Sequence, residues 1–251
     1  MYFLKRLLKG LKKRLLSILA LYDWSTNKKK LYKWEKSAER HECIIICNGP
    51  SIKSFDMSLI SEKDCFSMNR AYLAFEDWGF VPKYFVCVNE LVLEQFCSDI
   101  NKIEAHKFIN HSKKNLFSKS SNFLMLAFKD RVVDTFKSRL STSATVTFVS
   151  IQIAMIMGYK KIGIIGLDHS FSGPGSPHET LKADSKDDNH FLPNYFSGGI
   201  KWEYPDLERN ERGYNLLRSY AEKNNVEIYD CTEGGKSNAF NKLKIEDFLN
   251  E

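Results

Sequence analysis

CIIICNGPS, residues Cys43 to Ser51, decides the fold. An apolar run of strand length, Ile44 to Ile46 between two cysteines, passes straight into Asn48-Gly49-Pro50-Ser51. Open α/β sheets bind nucleotide phosphates where a buried strand opens into such a Gly-containing turn. Gly49 allows close backbone approach to a ligand, Pro50 sets the turn, and Ser51 caps the next helix or binds an anion.

Working outward, the same pattern recurs. The strand at 65–68 ends in Asn69-Arg70, the strand at 84–88 in Asn89-Glu90, and the strand at 162–165 in Gly166-Leu167-Asp168-His169. Weaker strands are expected at 107–110 and 122–126, and a late one at 226–229. Between them lie a helix or turn over 54–61 and helices over 71–78, 91–98, 206–224 and 245–249. The apolar segment 144–158 is too long for a strand and reads as a buried helix closed by Gly158. Residues 172–189, rich in Gly, Pro, Ser and charge, read as loop. This alternation predicts an α/β fold, a Rossmann-like, doubly wound and mostly parallel sheet.

Charge divides the chain in two. Residues 1–40 hold twelve Lys and Arg against three Asp and Glu, whereas residues 41–251 hold 25 against 28. We therefore read 1–40 as a basic N-terminal segment and 41–251 as one nucleotide-binding domain. The slightly acidic body offers no basic patch, so nucleic acid is not an expected partner. Residues 3–20, FLKRLLKGLKKRLLSILA, have the spacing of a basic amphipathic helix, suited to an anionic membrane surface or to docking on protein. Asn27 to Arg40 joins it to the body, and Trp24 and Trp34 suit an interface or simple packing. No run of apolar residues is long enough to span a bilayer. With no cleavable signal peptide read, the six cysteines are expected reduced in a cytoplasmic protein, peripheral at the inner face of the membrane.

Four strand ends would place Asn48, Asn69, Asn89 and Asp168-His169 along one carboxyl edge. Asn offers a donor and an acceptor without charge. Asp168 suits a ribose, a metal or a basic partner, and His169 a general base or an exposed turn. Asp187-Asp188-Asn189-His190 suits a divalent cation, an oriented catalytic His190, or a solvated loop. Tyr195 and its aromatic neighbours suit stacking or core. Thr232 to Lys236 resembles an anion-binding turn in which Lys236 neutralises a phosphate. The hydroxyls of 141–145, with Thr145 last, serve as caps or phosphate ligands.

The order NGPS, MNR, VNE, TVTFVSIQIAMIMGYKKIGIIGLDHSF, DDNHFLPNYF, PDLERNERGY and CTEGGK resembles a bacterial family related to 6-hydroxymethylpterin pyrophosphokinases, found in surface-polysaccharide gene clusters. It is also similar, more distantly, to the sialyltransferases of glycosyltransferase family 42. That likeness implies a CMP-sugar donor contacted by Asn48, Gly49, Ser51, Asn69 and Asn89. The chain departs from the sialyltransferase pattern in two places. The Thr-Ser-Gly motif is replaced around Thr145 to Thr147, and Asn194 stands where the second of two histidines would be the base.

The resulting expectation is a glycosyltransferase moving a CMP-activated keto sugar, sialic acid-like or Kdo-like, to a glycan or lipid-linked acceptor. His190 or His169 would be the base, with Asp168 beside it. Asn48, Gly49, Pro50, Ser51, Asn69, Arg70, Asn89, Thr145, Asp188, Tyr195 and Lys236 would bind nucleotide and substrate. No cofactor is obligatory in this reading. The alternatives are a pyrophosphokinase with Mg²⁺ on Asp168, Asp187 and Asp188, and a non-catalytic nucleotide-binding protein.

Overall fold

Eight strands form the main sheet: β1 (Glu42–Ile46), β2 (Cys65–Met68), β3 (Tyr84–Cys87), β4 (His106–Asn110), β5 (Asn122–Leu124), β6 (Lys161–Ile165), β7 (Glu227–Asp230) and β8 (Asn241–Lys242). Their order across the sheet is β8-β7-β6-β1-β2-β3-β4-β5, and every adjacent pair is parallel. The computed structural model describes residues 25–127, 129–143, 145–183 and 186–250. The basic helix expected over 3–20, and Trp24, lie outside the described residues.

The chain starts at the centre on β1, winds outward to β5, and crosses back to β6 on the other side of β1. The carboxyl ends of β1 and β6 are therefore the topological switch point, where open α/β sheets carry their ligands. The period-two alternation of a strand divides β1 between both faces. Cys43, Ile45 and Cys47 pack with helix α2 (Val146–Met157), while Ile44 and Ile46 pack on the opposite face with Ile52, Ile60 and Phe248. α2 is buried nearly all round, which explains its almost continuous apolar sequence. Thr145 caps its start and Gly158, at φ 105°, ends it in the left-handed conformation.

Several elements differ from the sequence expectation. The helix expected over 91–98 runs on to Lys102 as α1 (Glu90–Lys102). The segment 54–61 gives one 3-10 turn, Met57–Ile60, which follows another at Pro50–Ser54. The helix over 71–78 divides into a 3-10 turn, Ala71–Ala74, and one α turn, Phe75–Trp78. The expected loop of 172–189 contains Thr180–Lys182, which pairs antiparallel with Lys201–Glu203. Neither strand of this hairpin has a buried face, so no apolar alternation marked it. Helices α3 (Leu207–Lys223) and α4 (Ile245–Asn250) lie where the periodicity put them.

The basic segment that follows residue 24 is packed on the body. Trp34 meets the rings of Tyr84 and Phe108 edge-on at 6.0 and 5.6 Å. Its indole N–H donates to Asn122 Oδ1 at 3.0 Å. The N–H groups of Lys36 and Ala38 donate to the carbonyls of Ile156 and Met157, satisfying two orphan acceptors at the end of α2. Trp34 is therefore a half-buried residue packed against the core.

Candidate functional site

At the switch point the β1 turn is clasped to the end of β6. The N–H of Gly49 donates to the carbonyl of Gly166 at 3.0 Å. The Asp168 carboxylate accepts from Ser51 N at 3.1 Å and from Ser51 Oγ at 2.7 Å. Gly49 has an ordinary φ of −70°, so its role is space. A Cβ there would lie 1.9 Å from Asp168 Oδ2 and 2.6 Å from the Gly166 carbonyl. The close approach foreseen for a ligand is taken by the protein's own carboxylate.

Beside this clasp lies a cavity of about 240 Å³ along the carboxyl edge. Its wall includes Asn48, Gly49, Asn69, Asn89, Asp168, His169, His190 and Tyr195, so four separate strand ends do meet in one place. α1 and α2 both begin there, at the caps Asn89 and Thr145. Helix N-termini present unpaired N–H groups and a positive dipole end, which favours anionic ligands. Asn69 and His169 sit at φ 52° and 49°, left-handed values uncommon outside glycine. A larger hollow of about 990 Å³ lies across the clasp, between Ser51, Thr232 and Lys242, but it gathers none of these strand-end asparagines.

Each histidine is paired with a carboxylate through a different nitrogen. His190 Nδ1 lies 2.8 Å from Asp187 Oδ2. The ring stacks on Tyr195, with centroids 4.1 Å apart and planes 5° from parallel. Asp187 is buried and also accepts from the N–H groups of Asn189 and Phe196. Burial works to raise its pKa, but the His190 ring and these N–H groups outweigh it and hold the carboxyl below its usual value. Asp187 thus stays ionised near neutrality and fixes a proton on Nδ1, leaving Nε2 as the lone-pair nitrogen. His169 is held the other way, by Nε2 at 3.1 Å from Glu211 Oε2. Burial lowers its pKa against the opposing pull of Glu211 and Asp230, so its imidazole is neutral near pH 7.

Tyr195 ties the histidine loop to the sheet. Its hydroxyl accepts from Asn48 Nδ2 at 2.9 Å and from Arg70 N at 3.2 Å. Phe191 N donates to the Asn48 carbonyl at 3.1 Å. Asn48 Nδ2 also donates to the Met68 carbonyl, so its Oδ1 is left as a buried acceptor without a partner. Asn210 Oδ1, on the first turn of α3, is a second such acceptor in the same wall. Two unsatisfied acceptors in one wall suit a ligand that brings N–H or O–H donors.

The other expected residues lie elsewhere. Pro50 and Ser51 form the clasp, and Thr145 caps α2. The Arg70 guanidinium is buried over the Phe96 ring at 4.0 Å and reaches the Asn194 carbonyl at 3.5 Å, behind the cavity wall. Lys236 contributes its N–H to the Asp168 carbonyl at 2.9 Å while its side chain is exposed. It does not line the cavity; the turn before it, Thr232 to Gly235, lines the larger hollow instead. Of the hydroxyls at 141–145, Ser141 belongs to a short strand rather than to the helix start. Asp168, Asp187 and Asp188 are not brought together. Asp168 is spent on Ser51, Asp187 on His190, and Asp188 is exposed. Among the described residues no three His, Cys, Asp or Glu side chains gather as a metal site. These carboxylates do not fit the Mg²⁺ set of the alternative reading.

The sequence reading missed Asn210, Tyr214, Phe171 and Trp202, all of which line the cavity. Asn210 carried a signal: it shares a buried helical face with Gly213, Tyr214, Leu217 and Ala221, where a polar residue is out of pattern.

A family model described as "6-hydroxymethylpterin diphosphokinase MptE-like" matches residues 13–174. No curated protein matches the chain. Among solved structures, the chain is similar to the MAf glycosyltransferase from Magnetospirillum magneticum AMB-1, with a TM-score of 0.54 and 14% identity. The match covers 86% of this chain and 37% of that one. At this identity the likeness shows a shared fold. Among the described residues no helix is long and apolar enough to cross a membrane.

Proposed function

We propose that this chain, which belongs to the MptE-like family, is a glycosyltransferase that moves a CMP-activated keto sugar onto a glycan or lipid-linked acceptor. The observation that carries this reading is the cavity at the switch point, whose wall joins two helix N-termini with His190, itself paired with Asp187. The strand-end asparagines form the nucleotide cradle, and the helix termini favour its phosphate. His190 is the base of the reading. As the acceptor hydroxyl oxygen bonds to the anomeric carbon, the carbon–oxygen bond to phosphate breaks and CMP leaves with the electron pair. His190 Nε2 takes the hydroxyl proton, and Asp187 stabilises the imidazolium that forms. His169, neutral and held by Glu211, binds rather than accepts the proton.

The family's description also names a diphosphokinase. That chemistry calls for acidic ligands around a metal beside a triphosphate, and the separated carboxylates argue against it here. The proposed setting is cytoplasmic, at the inner membrane face, with residues 3–20 on the anionic surface and no obligatory cofactor.

A nucleotide screen by thermal shift tests the reading. CMP or CDP should raise the melting temperature selectively over UDP, ATP and GTP, by roughly 2.7 kcal/mol of stabilisation at a hundredfold excess over Kd. A response confined to ATP with Mg²⁺ would refute it in favour of the diphosphokinase.

A further inference from the structure

We infer that the folded body carries a docking face of its own for an anionic lipid surface: the outer side of residues 25–36, together with Lys119 and Lys137. The inference extends the membrane setting proposed above from residues 3–20 to the described chain. It is independent of the donor sugar.

Residues 25–32 are helical. The spacing of Asn27, Leu31 and Trp34 gives this segment an inner side. Leu31 is buried in the core, Trp34 packs against it, and Asn27 Oδ1 accepts from Phe123 N at 3.3 Å. The opposite side, formed by Lys29, Tyr32, Lys33 and Lys36, is exposed. Two segments distant in sequence adjoin it. Lys30 Nζ donates to the carbonyls of Lys119 and Ser121, both at 2.6 Å, which brings the exposed Lys119 alongside. Lys137 Nζ lies 4.7 Å from the centroid of the Tyr32 ring.

The face has a clear positive surplus. Residues 25–36 hold five lysines and one acid, Glu35. The Glu35 carboxylate is turned inward, accepting from Thr135 Oγ1 and from Phe136 N, the latter at 2.7 Å. The adjoining residues 119–123 and 134–137 add Lys119 and Lys137 against Asp134 alone. Residues 1–24, which lead into the face, hold six Lys and Arg against Asp23 alone, so their charge adds to the surplus. Lys29, Lys33, Lys119 and Lys137 have no carboxylate partner among the described residues.

Tyr32 decides the kind of partner. It is 50% exposed among these lysines. A tyrosine ring framed by ammonium groups suits a membrane–water interface, where the ring sits at headgroup level and the cations meet lipid phosphates. The face also follows directly on residues 3–20, which have the spacing of an interfacial helix.

The test is flotation of the full chain on vesicles of phosphatidylglycerol with phosphatidylcholine, and on phosphatidylcholine alone. Wild type should bind the anionic vesicles selectively, and less as salt rises. Lys29→Gln/Lys33→Gln/Lys119→Gln/Lys137→Gln should weaken that binding by about 10²-fold or more while keeping the wild-type melting temperature. Tyr32→Ala should also weaken it, and Tyr32→Trp should restore it. Undiminished binding by the lysine variant overturns the inference and leaves residues 3–20 as the anchor. Equal binding to the neutral vesicles, or tighter binding to duplex DNA than to the anionic ones, overturns it as well. A wild type that floats with neither vesicle overturns the membrane setting itself.

Discussion

Gly49→Ala should lower the melting temperature by roughly 6–12 °C, a loss of about 3 kcal/mol. The backbone is not the obstacle, since φ at Gly49 suits any residue. The added methyl would fall 1.9 Å from Asp168 Oδ2 and 2.6 Å from the Gly166 carbonyl. Two charge-assisted hydrogen bonds to Ser51 would break, and the β1 turn would move off β6. The loss should be non-additive with Asp168→Ala, because removing the carboxylate clears most of the space the methyl needs. A Gly49→Ala melting curve within about 2 °C of wild type would show that the turn yields freely.

His190→Ala should cut sugar transfer by about 10²- to 10⁴-fold while the CMP thermal shift persists. Asp187→Asn should fall nearly as far, because an amide no longer holds the proton on Nδ1 and the ring can present the wrong tautomer. Parallel single-turnover rates and CMP shifts check this, with His169→Ala as the comparison. A greater loss of transfer in His169→Ala than in His190→Ala would move the base to His169. A full rate in His190→Ala would leave the Asp187 pair a structural brace.

The strand-end pattern was readable because it is local. Asn48, Asn69, Asn89 and Asp168 each follow an apolar run, and parallel strands must bring their carboxyl ends to one edge. The roles of those residues were less readable, because they depend on partners distant in sequence. Asp168 resembles a catalytic carboxylate until Ser51, 117 residues away, is seen to engage it. Arg70 reads as a nucleotide or substrate ligand until Phe96 and the Asn194 carbonyl claim its guanidinium. The hairpin bearing Trp202 was invisible because neither strand buries a face, so no periodicity distinguishes it from loop. Trp202 thus joins the cavity wall from a segment whose spacing carries no message. His190 was the opposite case: Asp187 lies three residues before it, and that local pair was legible.

The Tyr195 hydroxyl, which accepts from Asn48 and from the Arg70 backbone at once, sets a limit on what steady-state kinetics can separate. The same phenol ring lies flat beneath His190. A change at Asn48 therefore disturbs both the nucleotide cradle and the seat of the proton acceptor. Affinity and turnover are not independent dials at this position: lesions there will move KM and kcat together, and only pre-steady-state measurements will divide the effect between them.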